Sequence, residues 1–145
     1  MNQNDKIFLG GTCAGTTWRN ELMPILDKFL IKYFNPVVDD WTPQCQAIEE
    51  DEKNNKCNIH LYVITPEIKG TYSIAEIIHS AHLANMYGTS VDRMIFAILK
   101  SDKWKKHELK SLNAVGKLAK NIGRDNVDFV TVDNMNDLGL LLIQK

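Results

Sequence analysis

The sequence predicts an α/β domain, a parallel sheet with helices on both faces. Two observations carry this expectation. Short apolar runs alternate with longer segments of helical apolar spacing, giving a strand-helix unit repeated five times along 145 residues. One run, Ile59 to Thr65, is apolar on both faces, as a central strand of a parallel sheet is.

Lys6-Ile7-Phe8-Leu9 forms the first strand, stopped by a tight turn at Gly10-Gly11. Trp18 to Tyr33 is the first helical segment, with Leu22, Ile25, Leu26, Phe29 and Leu30 in helical register. Pro24 lies near enough to its start to be tolerated. Tyr33-Phe34-Asn35 is a brief second strand, followed by an irregular loop over residues 36–41. Thr42-Pro43 opens the second helix, with Thr as N-cap and Pro at the first helical position. That helix runs to about Lys56, and its acidic run Glu49 to Glu52 reads as a solvated face. Residues 58–65 make the third strand. The third helix runs from Ser73 to Tyr87 and stops at Gly88. Arg93 to Leu99 is the fourth strand, and Lys105 to Ile122 the fourth helix, ended by Gly123. Val127 to Val132 is the fifth strand. Asp133 to Ile143 is the last helix, capped by Asp133 or Asn134. The expected strand order is the flavodoxin-like 2-1-3-4-5. It puts a switch point between strands one and three, so the loops after both border one crevice. No linker or repeat breaks the pattern, and residues 1–145 read as one domain.

Hydrophobic residues make up 44% and charged residues 24%, ordinary values for a soluble globular protein. A net charge of -1 argues against the basic stripe of a nucleic-acid binder. Lys100 to Lys110 is basic only locally and reads as a solvated loop and helix start. The cysteines Cys13, Cys45 and Cys57 are odd in number and show no C-x-x-C spacing. Neither a disulfide framework nor a zinc site is expected, and a reducing, cytoplasmic setting fits. No apolar run approaches membrane-spanning length, and the polar N-terminus lacks a signal-peptide core.

Chemistry is expected at the crevice loops. Gly10-Gly11-Thr12-Cys13-Ala14-Gly15 can let a backbone approach a ligand, with helix-start amides favouring an anion. It is neither G-x-G-x-x-G nor a Walker loop, and a glycine turn with Thr16 or Thr17 as cap explains it equally well. Arg19 opposes the dipole of its helix and so needs a partner. A phosphate or carboxylate in the crevice would serve, as would Asp39 or Asp40. In the second loop Asn35, Asp39, Asp40 and Trp41 could hold hydroxyls and stack a base. A solvated Asp pair with Trp41 packed before the Thr42 cap is the plainer alternative. In the third loop Glu76 stands on the first turn after the central strand. Ser73-Ile74-Ala75-Glu76 also matches a capping box, in which Glu76 only reaches back to the Ser73 amide. Glu76 lies about 200° around the helix from Ile74, off the apolar stripe, so cap and catalyst share one position. Glu76-x-x-His79-x-x-His82 lacks the second copy a di-iron carboxylate site needs, and His79 and His82 read as surface or interface residues. Cys13 has no assigned base. The apolar and small residues of the third helix, Ile77, Ile78, Ala81, Leu83, Ala84 and Met86, suggest either core packing or a homodimer.

In combination, Ile7 to Thr12, Trp18-Arg19, Phe34 to Trp41 and Tyr72 to Glu76 resemble the nucleoside 2-deoxyribosyltransferase-like family over roughly residues 6–100. The resemblance implies a flavodoxin-like sheet and attack by a glutamate, here Glu76, on the anomeric carbon of a nucleoside or nucleotide. Gly10, Gly11 and Thr12 would shape the sugar or phosphate floor. Asp39 and Asp40 would orient hydroxyls or the base, and Trp41 would pack against the base. No metal or redox cofactor is implied. The family's transferases carry an Asp six residues before the glutamate, where this chain has Gly70, and another near the start of the third strand, where it has Asn58. The acid that serves the departing base is therefore unassigned among Asp39, Asp40 and Glu67. Toll/interleukin-1 receptor-like domains have a similar topology and a helix-borne glutamate, and some cleave NAD. A nucleotide N-hydrolase and a nucleotide-sensing module are the other readings.

Overall fold

The structure, a computed structural model, describes residues 1–144. Strands β1 (Lys6–Gly11), β2 (Lys32–Phe34), β3 (Ile59–Ile64), β4 (Arg93–Leu99) and β5 (Val127–Val132) form one sheet in the order β2-β1-β3-β4-β5. Every neighbouring pair is parallel. The connecting helices are α1 (Trp18–Lys28), α2 (Pro43–Asp51), α3 (Tyr72–Asn85), α4 (Lys106–Gly123) and α5 (Met135–Gln144). The flavodoxin-like order expected from the pattern is the one observed.

Strand side chains alternate between two apolar layers, as a pleated backbone requires. Ile7, Leu9, Leu61, Val63, Ile95 and Ala97 pack with Trp18, Leu22 and Leu26 of α1 and with Leu138 and Leu142 of α5. Phe8, Tyr62, Ile64, Phe96 and Ile98 pack with Ile77 and Ala81 of α3 and with Leu112 and Ala119 of α4. Burying one such large side chain stabilises by about 1.5–3 kcal/mol, whereas an exposed ion pair gives about 1 kcal/mol or less. The two layers, rather than surface charge, therefore hold helices to sheet.

Several boundaries move, each for a local reason. α1 ends at Lys28, because Leu30 takes a φ of 57° and turns the chain into β2. Phe29 and Leu30, expected in the apolar stripe, are consequently exposed. α2 is capped as expected, with Thr42 Oγ1 accepting from the Cys45 amide at 3.3 Å. It does not continue to Lys56 as an α-helix; Glu52–Lys56 widens into a π turn. Such turns are rare and concentrate at functional sites. Gly123 is the last residue of α4, and Arg124 takes the left-handed φ of 52°. Asn134 is the cap of α5, its Oδ1 accepting from the Asp137 amide at 2.9 Å. On α3, Ile77, Ala81 and Ala84 are buried in the protein's own core. Among the described residues, no helix is long and apolar enough to cross a membrane.

Candidate active site

The carboxyl ends of β1 and β3 lie side by side, with Gly11 paired to Val63. At Gly11 the backbone takes a φ of 114°, and a Cβ there would stand 2.1 Å from the Val63 carbonyl oxygen. At Gly10 a Cβ would meet the Tyr62 ring at 2.5 Å. Both glycines are thus required by the neighbouring strand, before any ligand is considered. Thr12 continues the seam. Its amide donates to the Val63 carbonyl, and its Oγ1 accepts from the Thr65 amide, both at 3.0 Å.

Arg19 is buried beneath this loop. Its Nε donates to the Leu9 carbonyl at 3.0 Å, Nη1 to the Thr12 carbonyl at 2.7 Å and Nη2 to the Gly11 carbonyl at 3.4 Å. The guanidinium also stacks 4.3 Å from the centre of the Trp18 ring. Its partners are these backbone oxygens and Cys13 Sγ, 3.8 Å from Nη2, rather than Asp39 or Asp40, so it fixes the loop's path. Burial lowers its pKa, opposed by the nearby Cys13, Glu49 and Glu76.

Above the loop is a cavity of about 240 Å3 lined by Gly11, Thr12, Cys13, Ala14, Glu67 and Ser73, among others. That is below the roughly 300–1,000 Å3 of a drug-sized site, so it suits part of a ligand. Ser73 joins the loop to α3, its Oγ donating weakly to the Gly11 carbonyl at 3.4 Å. Ser73 does not cap the helix. α3 starts at Tyr72, and its N-cap residue, Thr71, makes no side-chain cap bond.

Glu76 is not a cap either. It sits one turn beyond Ser73 on the same side of α3 and pairs with Lys53 of the π turn, Nζ to Oε2 at 2.7 Å. The two side chains are only 7% and 11% exposed. Among the described residues nothing hydrogen-bonds Glu76 Oε1, yet it is not sealed from solvent. One oxygen is therefore anchored and the other is free.

A buried polar chain holds Lys53 in turn. The Lys53 carbonyl can only accept, so His60 Nε2, 2.6 Å away, is the donor. A neutral imidazole then accepts at Nδ1 from Ser80 Oγ at 2.8 Å. Ser80 Oγ in turn accepts from the Tyr62 hydroxyl at 2.7 Å. Ser80 lies one turn beyond Glu76 on α3, so this chain ties α3 and the π turn together at two points. Burial holds His60 far below its usual 6.5, at about 4. Because the fold keeps His60 neutral, its stabilisation is complete above pH 6.5 and is lost as pH falls through about 4. That difference is worth up to about 3 kcal/mol. Urea titrations between pH 7 and 4 are expected to show this loss in the wild type, and a flatter profile in His60→Gln.

The second loop stands apart from the cavity. Asn35 Oδ1 accepts from the Val37 amide at 3.1 Å and shapes a turn. Asp39, Asp40 and Trp41 are exposed, and none of them lines the cavity. Trp41, 60% exposed, is not packed before the Thr42 cap. Lys53, which grips Glu76, and the network behind it are residues to which the sequence assigned no part in the site. Glu49 belongs to the acidic run read as a solvated face, Lys53 to the end of the same expected helix, His60 to the apolar third strand and Ser80 to the third helix. A polar residue at a core register, as at His60 and Ser80, is the one signal that points to such a network.

No curated protein matches the chain. The family model described as nucleoside 2-deoxyribosyltransferase like matches residues 4–101, which include all three crevice loops and the Lys53–Glu76 pair. With most of its length so matched, the chain belongs to the nucleoside 2-deoxyribosyltransferase-like family.

Proposed function

We propose that the protein cleaves or transfers the (deoxy)ribosyl group of a nucleoside or nucleotide, with Glu76 as nucleophile. The observation that carries this is the carboxylate itself: one oxygen held by Lys53, the other free, at the carboxyl end of the central strand. In this reading Oε1 attacks C1′ as the C1′–N bond breaks, and the base leaves with the electron pair. The glycosyl-enzyme ester then passes its sugar to a second base or to water, through oxocarbenium-like transition states.

The cavity between the first and third loops takes the sugar end. Gly11, Thr12 and Ser73 line it, and Gly10 acts indirectly by letting β1 close on Tyr62. Arg19 serves indirectly: with its donors turned to backbone oxygens, a 5′-phosphate would meet loop amides rather than the guanidinium. Asp39, Asp40 and Trp41 would meet the base from the second loop, with Asn35 shaping that loop's path. Trp41, Val37, Val38 and Ile48 are each exposed, and a second copy of the chain would cover them in a homo-oligomer.

The test is incubation with deoxynucleosides, their 5′-monophosphates and NAD, each with and without an acceptor base, followed by chromatography. Free base or an exchanged nucleoside is the expected product. Cleavage of NAD alone would select the receptor-domain-like reading. Calorimetric nucleotide binding without turnover of any substrate would select a sensing module.

A further inference from the structure

Glycosyl transfer with a neutral base as leaving group needs a proton donor. At the position where family transferases carry an Asp, this chain has Gly70, beside which a Cβ would meet nothing within 4 Å. The geometry points to Glu49 as that donor, the general acid and base of the reaction proposed above; the inference rests on that reading.

Of the residues in α2, only Cys45 and Glu49 are half-buried; the rest are exposed. Their spacing of four defines the inward face of the helix. Lys53 continues that face one turn later, and its amine grips Glu76. Glu49 is therefore directed at the Lys53–Glu76 pair. It shares that space with Glu76 from α3, Lys53 from the π turn and Arg19 from α1, while Glu50 neighbours it on its own helix. Burial first, and then the facing Glu76, raise the Glu49 carboxyl above the usual range; Lys53 and Arg19 oppose this. Two carboxylates in unlike surroundings, one ion-paired and one favouring its proton, are the arrangement that retaining glycosyl transfer uses. Glu67 is the competing candidate, because it lines the cavity. Glu67 opens on that cavity, whereas Glu49 is the carboxyl set beside Glu76 itself.

The step balances as follows. Glu76 Oε1 forms a bond to C1′ as the C1′–N bond breaks. Its electron pair stays on the base nitrogen, which takes the Glu49 proton. In the second half an acceptor nitrogen or water attacks C1′, gives its proton to Glu49 and releases the Glu76 carboxylate.

A leaving group that needs no proton isolates this role. The deoxynucleoside cleaved by the wild type is paired with an activated analogue, the N7-methyl cation for a purine or the 5-nitro base for a pyrimidine. Glu49→Gln is expected to lower kcat/KM on the ordinary nucleoside by about a hundredfold or more. On the activated analogue the loss is expected to be under about threefold, and the alkaline fall of the wild-type pH profile should vanish. Equal losses on both substrates, or a selective loss in Glu67→Gln instead, overturn the assignment to Glu49 and leave the nucleophile reading standing. A wild type inert on every substrate overturns both.

Discussion

Replacing Glu76 with Gln is expected to lower kcat for glycosidic cleavage by at least about a thousandfold, the scale of losing a group that bonds to the reacting carbon. The amide keeps the shape of the side chain and an oxygen for Lys53, but it is not a nucleophile. The cost in stability is smaller. Removing one partner of a buried ion pair costs about 3–5 kcal/mol when the other charge is stranded. Here Lys53 retains a hydrogen-bond acceptor in the amide oxygen, so about 2 kcal/mol is expected. Glu76→Asp separates the two roles, because it keeps the charge and loses the reach to C1′. It should fold as well as Glu76→Gln and be almost as inactive. A 2-deoxy-2-fluoro nucleoside should trap the ester, and intact-protein mass with peptide mapping should place the adduct on Glu76. Cleavage undiminished in Glu76→Gln would remove the nucleophile assignment, leaving Lys53–Glu76 as a structural pair.

Gly11→Ala is expected to destabilise the fold by about 4 kcal/mol, from combined backbone strain and overpacking. The added Cβ would stand 2.1 Å from the Val63 carbonyl oxygen and 2.7 Å from its amide nitrogen, at a φ of 114°. Both neighbours are backbone atoms of the central strand, so no rotamer change relieves the clash. The seam formed by Gly11, Thr12 and Val63 must open, and the carbonyls that anchor Arg19 move with it. For a domain of this size the midpoint of thermal unfolding should fall by about 10–15 °C. Activity should fall too, since the same loop lines the cavity. A Gly11→Ala midpoint within about 2 °C of the wild type would show that the seam is not the constraint described here.

These two residues show how far a sequence can be read. Gly11 was legible as a special backbone position, because glycine at the end of a strand signals a turn or a close approach. What approaches it was not legible. The partner is Val63, more than fifty residues away in the chain, not a ligand. Glu76 was legible as a carboxylate at the crevice, but Ser73-x-x-Glu76 gave a local motif that fitted equally well. The structure removes the capping alternative: Lys53 offers Glu76 a buried, oppositely charged partner, and the capping bond is not made. Arg19 follows the same rule. Its place in the first turn of α1 demanded a partner, and carbonyls at the end of β1 and the start of the following loop supply it.

The sequence by itself determined the sheet, its order and which loops meet. Apolar periodicity is a local signal, and a parallel α/β chain has few ways to wind. Only the tertiary structure decided how the charges are shared out among Arg19, Glu49, Lys53 and Glu76. A polar side chain takes the best partner within reach, and reach is set by packing between distant segments. The π turn carries the Lys53 that reaches α3, and no local pattern in the acidic run announces it.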